Sequence, residues 1–135
     1  LDLYEGILKL SARLLQIGFP TIAAINGTCL GAGFLLALAM DYRISVPLAK
    51  FAMREINLGM PLTPKGCTIF QAKLNPKMYR NILLGGKSLN AEEGINEGFI
   101  DEIVEKSQLI TKSKELAETL ADFGSKNEVY SCVKL

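Results

Sequence analysis

Few side chains in this sequence are equipped for chemistry. None of the 135 residues is histidine, and Cys29, Cys67 and Cys132 lie far apart without paired spacing, so no metal site is expected. The three thiols read as small apolar fillers in a reducing compartment. Backbone amides are a better prospect. Gly31-Ala32-Gly33 stands between a strand-turn and a wholly apolar stretch, where free N–H groups and the positive end of a helix dipole converge. Small side chains there let a ligand oxygen approach the main chain, as an oxyanion must if its charge is to be stabilised. Steric fit alone also produces turns of this kind.

The elements that must position such a turn are legible from periodicity. Leu3, Ile7, Leu10, Leu14 and Leu15 recur at helical spacing, closed by Gly18 and Pro20. Thr21-Ile22-Ala23-Ala24-Ile25 reads as a strand covered on both faces. Asn26-Gly27 turns the chain, and residues 34–40 form a buried helix that Asp41 ends. Residues 42–46 and 50–53 are extended, with Pro47 between them. From Thr63 onward the pattern is helical: Pro64 suits a first turn, and Asn75-Pro76 restarts the pattern into a helix over 77–84 that Gly85-Gly86 stops. Asn90 caps a helix over 91–97, with Glu93 completing a capping box. Residues 99–104 read as a strand, and 109–123 as a last amphipathic helix with Lys112, Lys114, Glu115 and Glu118 outward. The fold class is α/β, with no internal repeat or linker.

Composition narrows the function. An apolar fraction of 49% can fill an ordinary core, and fifteen basic against fourteen acidic residues leave a charge of +1. No global field therefore favours nucleic acid or an anionic membrane, and an anionic ligand must be held locally. No apolar run reaches the ~18 residues of a membrane span. The chain opens at Leu1 inside an amphipathic helix without the features of a secretion signal, and an amino-terminal part is expected upstream.

The stretch from Pro20 to Asp41, PTIAAINGTCLGAGFLLALAMD, resembles the central signature of the crotonase family. The resemblance continues through Arg43-Ile44-Ser45, Lys50-Phe51, Glu55-Ile56-Asn57-Leu58-Gly59, Leu84-Gly85-Gly86-Lys87-Ser88-Leu89-Asn90-Ala91-Glu92-Glu93-Gly94 and Gly98-Phe99-Ile100-Asp101. It implies a ββα spiral core followed by carboxyl-terminal helices, with the amino-terminal part of the fold missing. Residues 1–104 would form the partial core, and 105–135 a carboxyl-terminal helix and tail. It also implies action on acyl-CoA thioesters, with coenzyme A entering as part of the substrate and no separate cofactor. By the same resemblance the Ala32 backbone N–H contributes to an oxyanion hole, and Gly31, Gly33 and Leu35 line the substrate pocket.

Hydratases of the family resemble one another in two glutamates that together orient and deprotonate water. The matching positions here are Leu35 and Glu55, so the water-addition apparatus is halved. One retained carboxylate suits moving a double bond from the 3 to the 2 position, provided it reaches both carbons. Phe34, Leu35 and Leu36 could wall that carboxylate from water. Glu55 is thus similar to the lone glutamate of enoyl-CoA isomerases, whereas Pro64-Lys65-Gly66 holds lysine where another isomerase group carries its glutamate. The plainer reading of Glu55 is a solvated or salt-bridged surface residue beside Arg54. Alternatives for the whole are an inactive crotonase-like scaffold subunit or an enoyl-CoA hydratase.

The absent upstream part would supply a second oxyanion N–H and much of the CoA-binding loop. Without that donor, transition-state stabilisation falls by about 3–4 kcal/mol, and this segment alone is expected to be nearly inactive. A homotrimer or hexamer is implied, or a partner chain supplying the amino-terminal part. Val133-Lys134-Leu135 is a poor match to a peroxisomal address, so peroxisome and mitochondrion both remain open. Lys87 and Lys126 could meet CoA phosphates or simply be solvated. Met53, Met60 and Phe70 fit an acyl channel and core packing equally.

Overall fold

The computed structural model describes residues 2–134. In chain order it contains α1 (Asp2–Gln16), β1 (Ile22–Ile25), β2 (Cys29–Leu30), α2 (Ala32–Ala39), β3 (Tyr42–Ser45), β4 (Lys50–Ala52), α3 (Pro64–Lys73), α4 (Pro76–Tyr79), β5 (Leu89–Asn90), α5 (Ala91–Asn96), β6 (Glu102–Ile103), α6 (Leu109–Leu120) and α7 (Asn127–Lys134). Two three-stranded sheets result. In one, β3 lies between β1 and β6, all parallel, with Ala24 opposite Ile44 and Ile44 opposite Glu102. In the other, β4 lies between parallel β2 and antiparallel β5. Parallel neighbours require a crossover, and α2, apolar all round, lies in the connections from β1 to β3 and from β2 to β4.

Four phenylalanines knot the layers together. Phe34 of α2 lies 5.5 Å from Phe51, 5.7 Å from Phe70 and 5.7 Å from Phe99 between ring centroids, and Phe51 meets Phe99 edge-on at 5.3 Å. Such tilted and edge-on pairs add about 0.5–1.5 kcal/mol each beyond the area they bury. Arg43 secures the far end of α2. Its buried guanidinium donates to the carbonyls of Ala37 (3.3 Å), Met40 (2.6 Å), Asp41 (3.3 Å) and Phe99. The orphan carbonyls of a helix end that cannot reach water are thereby satisfied.

A second polar knot fastens the carboxyl-terminal helix. Asp41 Oδ2 accepts from Thr21 N (2.9 Å), pairs with Lys134 Nζ (2.9 Å) and accepts from the Tyr130 hydroxyl (3.2 Å). Burial and the Asp41 charge push the Tyr130 phenol up from 10 to about 12. The folded value exceeds the unfolded one, so this stabilisation is complete below pH 10 and is lost as pH climbs from 10 toward 12. Thermal melts across that range are expected to fall more steeply for the native protein than for Tyr130→Phe, which has no phenol to ionise.

Several elements depart from the periodicity-based expectation. Ala24 is exposed, so β1 is not covered on both faces; no strand lies on its outer edge among the described residues. The helix expected over 77–84 is a single α-turn, α4, followed by a wider π-type turn at Arg80–Leu84. Only Glu102–Ile103 of the strand expected over 99–104 pairs, because Phe99 and Ile100 turn inward to pack against Gly94. The last helix stops at Leu120, and beyond a tight turn at Ala121–Lys126 the expected tail is helix α7, held by Asp41.

Candidate functional site

Sheet pairing brings the glycine turn and Glu55 together. Leu30 faces Ala52 in the β2/β4 ladder, and the Gly31 N–H donates to Ala52 O at 3.0 Å, so the two strands leave the sheet side by side. One then enters α2. The other reaches Glu55 three residues beyond Ala52. Gly31 has φ 51° and ψ −119°, a conformation that a β-carbon resists. No residue other than glycine has positive φ among the described residues, so Ala32 adopts ordinary helical geometry and the demanding position falls on Gly31.

The first intrahelical hydrogen bond of α2 runs from Leu35 N to Gly31 O at 3.0 Å. The N–H groups of Ala32, Gly33 and Phe34 therefore have no acceptor within the helix. Gly31 offers no side-chain cap, and the first turn carries no acidic residue. Ala32 and Gly33 are exposed at the positive end of the helix. Gly33 is not demanded by packing, since a β-carbon there would meet only Cys29 Sγ at an ordinary 3.9 Å.

Glu55 reaches this helix end. A β-carbon built on Gly31 would lie 3.5 Å from Glu55 Oε1, which puts the carboxylate against the residue that precedes Ala32. The residue is half-buried, and its Oε2 is shielded from solvent with no hydrogen-bond partner among the described residues. No ion pair joins Glu55 to Arg54 among the described residues. A buried carboxylate oxygen without a partner is costly for stability alone and is the kind of atom a ligand or proton would satisfy.

The other named positions divide. Leu35 is buried at 3% exposure on the first turn of α2, where it can neither donate nor accept. Phe34 belongs to the aromatic core rather than to a pocket wall, and Leu36 is half-buried. Met53 and Phe70 are core residues, whereas Met60 is 58% exposed. Lys87 and Lys126 are exposed. A groove of about 290 Å³ runs along β1 and α2 past Ile22, Ile25, Gly33 and Leu36, and another of about 360 Å³ lies between α1 and α3, lined by Leu8, Ala12, Leu15 and Ile69. Neither is lined by Glu55.

A family model described as enoyl-CoA hydratase/isomerase matches residues 2–131. A carnitinyl-CoA dehydratase of Proteus mirabilis is 35% identical over 110 residues, which is 82% of this chain and 42% of that protein. Among solved structures, the apo Mtb enoyl-CoA isomerase superposes with TM-score 0.90 at 24% identity, over 99% of this chain and 58% of its own. An enoyl-CoA hydratase from Mycobacterium marinum superposes with TM-score 0.88 at 24% identity, over 96% and 58%. The chain thus spans less than half the length of the curated relative and somewhat over half of these structures.

Proposed function

Because this chain belongs to the enoyl-CoA hydratase/isomerase family, we propose that it carries the base and one oxyanion donor of an enoyl-CoA delta isomerase. In that reading a 3-enoyl-CoA lays its thioester oxygen against the Ala32 N–H. Glu55 takes a proton from C2, the electron pair moves through the carbonyl to give a dienolate, and the amide stabilises the oxygen as charge develops. The same carboxyl then returns the proton to C4, leaving the double bond at the 2 position. One acid suffices because it starts and ends the cycle ionised. Leu35 offers no group to orient a water, which favours proton transfer over water addition.

The observation that carries this reading is the Glu55 carboxylate, whose Oε1 lies against Gly31 at the start of α2 and whose Oε2 is shielded from solvent and unpartnered among the described residues. A second reading has its own support: the curated relatives at 34–35% identity are named carnitinyl-CoA dehydratases. Offering the full-length protein a 3-enoyl-CoA and a 2-enoyl-CoA in parallel separates them. Isomerisation is expected to outrun formation of any hydroxyacyl product. Faster hydroxyacyl formation would replace isomerase by hydratase, and no turnover of either would favour the scaffold role.

The remaining length of the relatives, whether on the same polypeptide or on a partner chain, is proposed to bring the second oxyanion donor, with a trimer or hexamer as the assembly. A fatty-acid-degrading organelle, peroxisome or mitochondrion, fits this substrate.

A further inference from the structure

The turn that carries Glu55 is held by little apolar packing. Ile56–Leu58 form a single 3₁₀ turn with none of its residues buried; Ile56 is 53% and Leu58 69% exposed. Its own backbone closes it: Leu58 N donates to Arg54 O and Glu55 O, both at 3.1 Å, and Met60 N donates to Glu55 O at 2.8 Å. Those bonds fix the shape of the turn but not its place on the protein. A proton-transfer base needs its place fixed, because displacement of about 1 Å from the productive geometry can cost on the order of 100-fold in rate.

Asn57 supplies the link. Its side-chain amide lies flat against Gly86, so that a β-carbon on Gly86 would fall 2.8 Å from both Cγ and Nδ2 and collide with Oδ1. Gly86 has φ 60°, a left-handed conformation, and follows the π-type turn at Arg80–Leu84 that ends in Gly85. That turn is itself secured, with Gly85 N donating to Arg80 O at 2.9 Å and Lys87 N to Asn81 O at 3.0 Å. Its inner residues Ile82 and Leu83 are buried in the core. A side-chain-free platform, held by its own backbone hydrogen bonds, thus meets a side chain of the exposed turn two residues past the carboxylate.

The geometry points to Asn57 and Gly86 as positioning residues for the reaction of Glu55: the amide rests on the glycine and sets how far the carboxylate stands from the N-terminus of α2. This rests on the proposed role of Glu55 as the base. Neither residue touches substrate in this scheme, so both should act on kcat and leave KM nearly unchanged.

The test is a double-mutant cycle on the full-length protein, with Glu55→Gln measured alongside. Asn57→Ala and Gly86→Ala are each expected to lower kcat by about 10-fold, and the double variant should be no slower than the worse single one, since either change already removes the contact. Thermal melts accompany each variant. An unchanged kcat in Asn57→Ala, or losses that multiply in the double variant, would overturn the seat while leaving Glu55 as the base if Glu55→Gln is inactive. Retained activity in Glu55→Gln would remove the base and the seat together. A loss that appears in melting temperature but not in kcat would likewise reduce Gly86 to a structural glycine.

Discussion

Glutamine at position 55 is expected to lower turnover of a 3-enoyl-CoA by about 10³-fold while KM stays within a few-fold, because the amide keeps the shape of the carboxyl group and cannot accept the proton. The magnitude is that of general acid–base catalysis by a positioned side chain, about 4 kcal/mol of barrier. Two features of the site make the loss large. Among the described residues Oε2 has no partner that could take over its role, and no ion pair connects Glu55 to another titratable group. Steady-state kinetics with a melting curve for each protein check this. Activity within about threefold of the native protein would mean that another group carries the proton.

The second large effect concerns stability. Arg43→Met is expected to cost about 3–4 kcal/mol, since methionine fills much of the volume but strips the donor from the buried carbonyl of Phe99 and the half-buried one of Met40, while Ala37 O retains only the Met40 N–H. Burial pulls the Arg43 guanidinium down from its ordinary range, opposed by the charges of Asp101 and Asp41, yet an arginine starting so high stays charged at neutral pH. Arg43→Lys should recover only part of the loss, because one ammonium cannot span acceptors both at the end of α2 and at Phe99. Denaturant unfolding of the three proteins measures it. A midpoint for Arg43→Met close to the native one would show that these bonds are exchanged for water at no cost.

Much of the site was written in the sequence because short-range rules govern it. Asn90 with Glu93 forms the capping box that the spacing predicts, and Thr63 and Asn75 cap α3 and α4 ahead of their prolines. The motif resemblance put Glu55 and the turn at Gly31 in one neighbourhood, and strand pairing between Leu30 and Ala52 is what brings them there. What escaped depends on long-range pairing or on elements too short for any period to register. Strands β2 and β5 are two residues each. The hold of Asp41 on Tyr130 and Lys134 joins positions far apart in the chain, and without it residues 127–134 carry too little apolar surface to announce a helix. The seating of Asn57 on Gly86 is equally silent, for a glycine after a glycine reads only as a stop.

Helix α2 spans eight residues, about 12 Å from end to end, with the free amides at one tip and the carbonyls gripped by Arg43 at the other. A rod that short transmits any shift at its base straight to its point. For protein engineering this gives a remote dial: altering Met40 or the segment at Phe99 would slide or tilt the amide cluster by fractions of an ångström without placing a new atom near a ligand. Mutagenesis libraries confined to pocket-lining positions would never sample it.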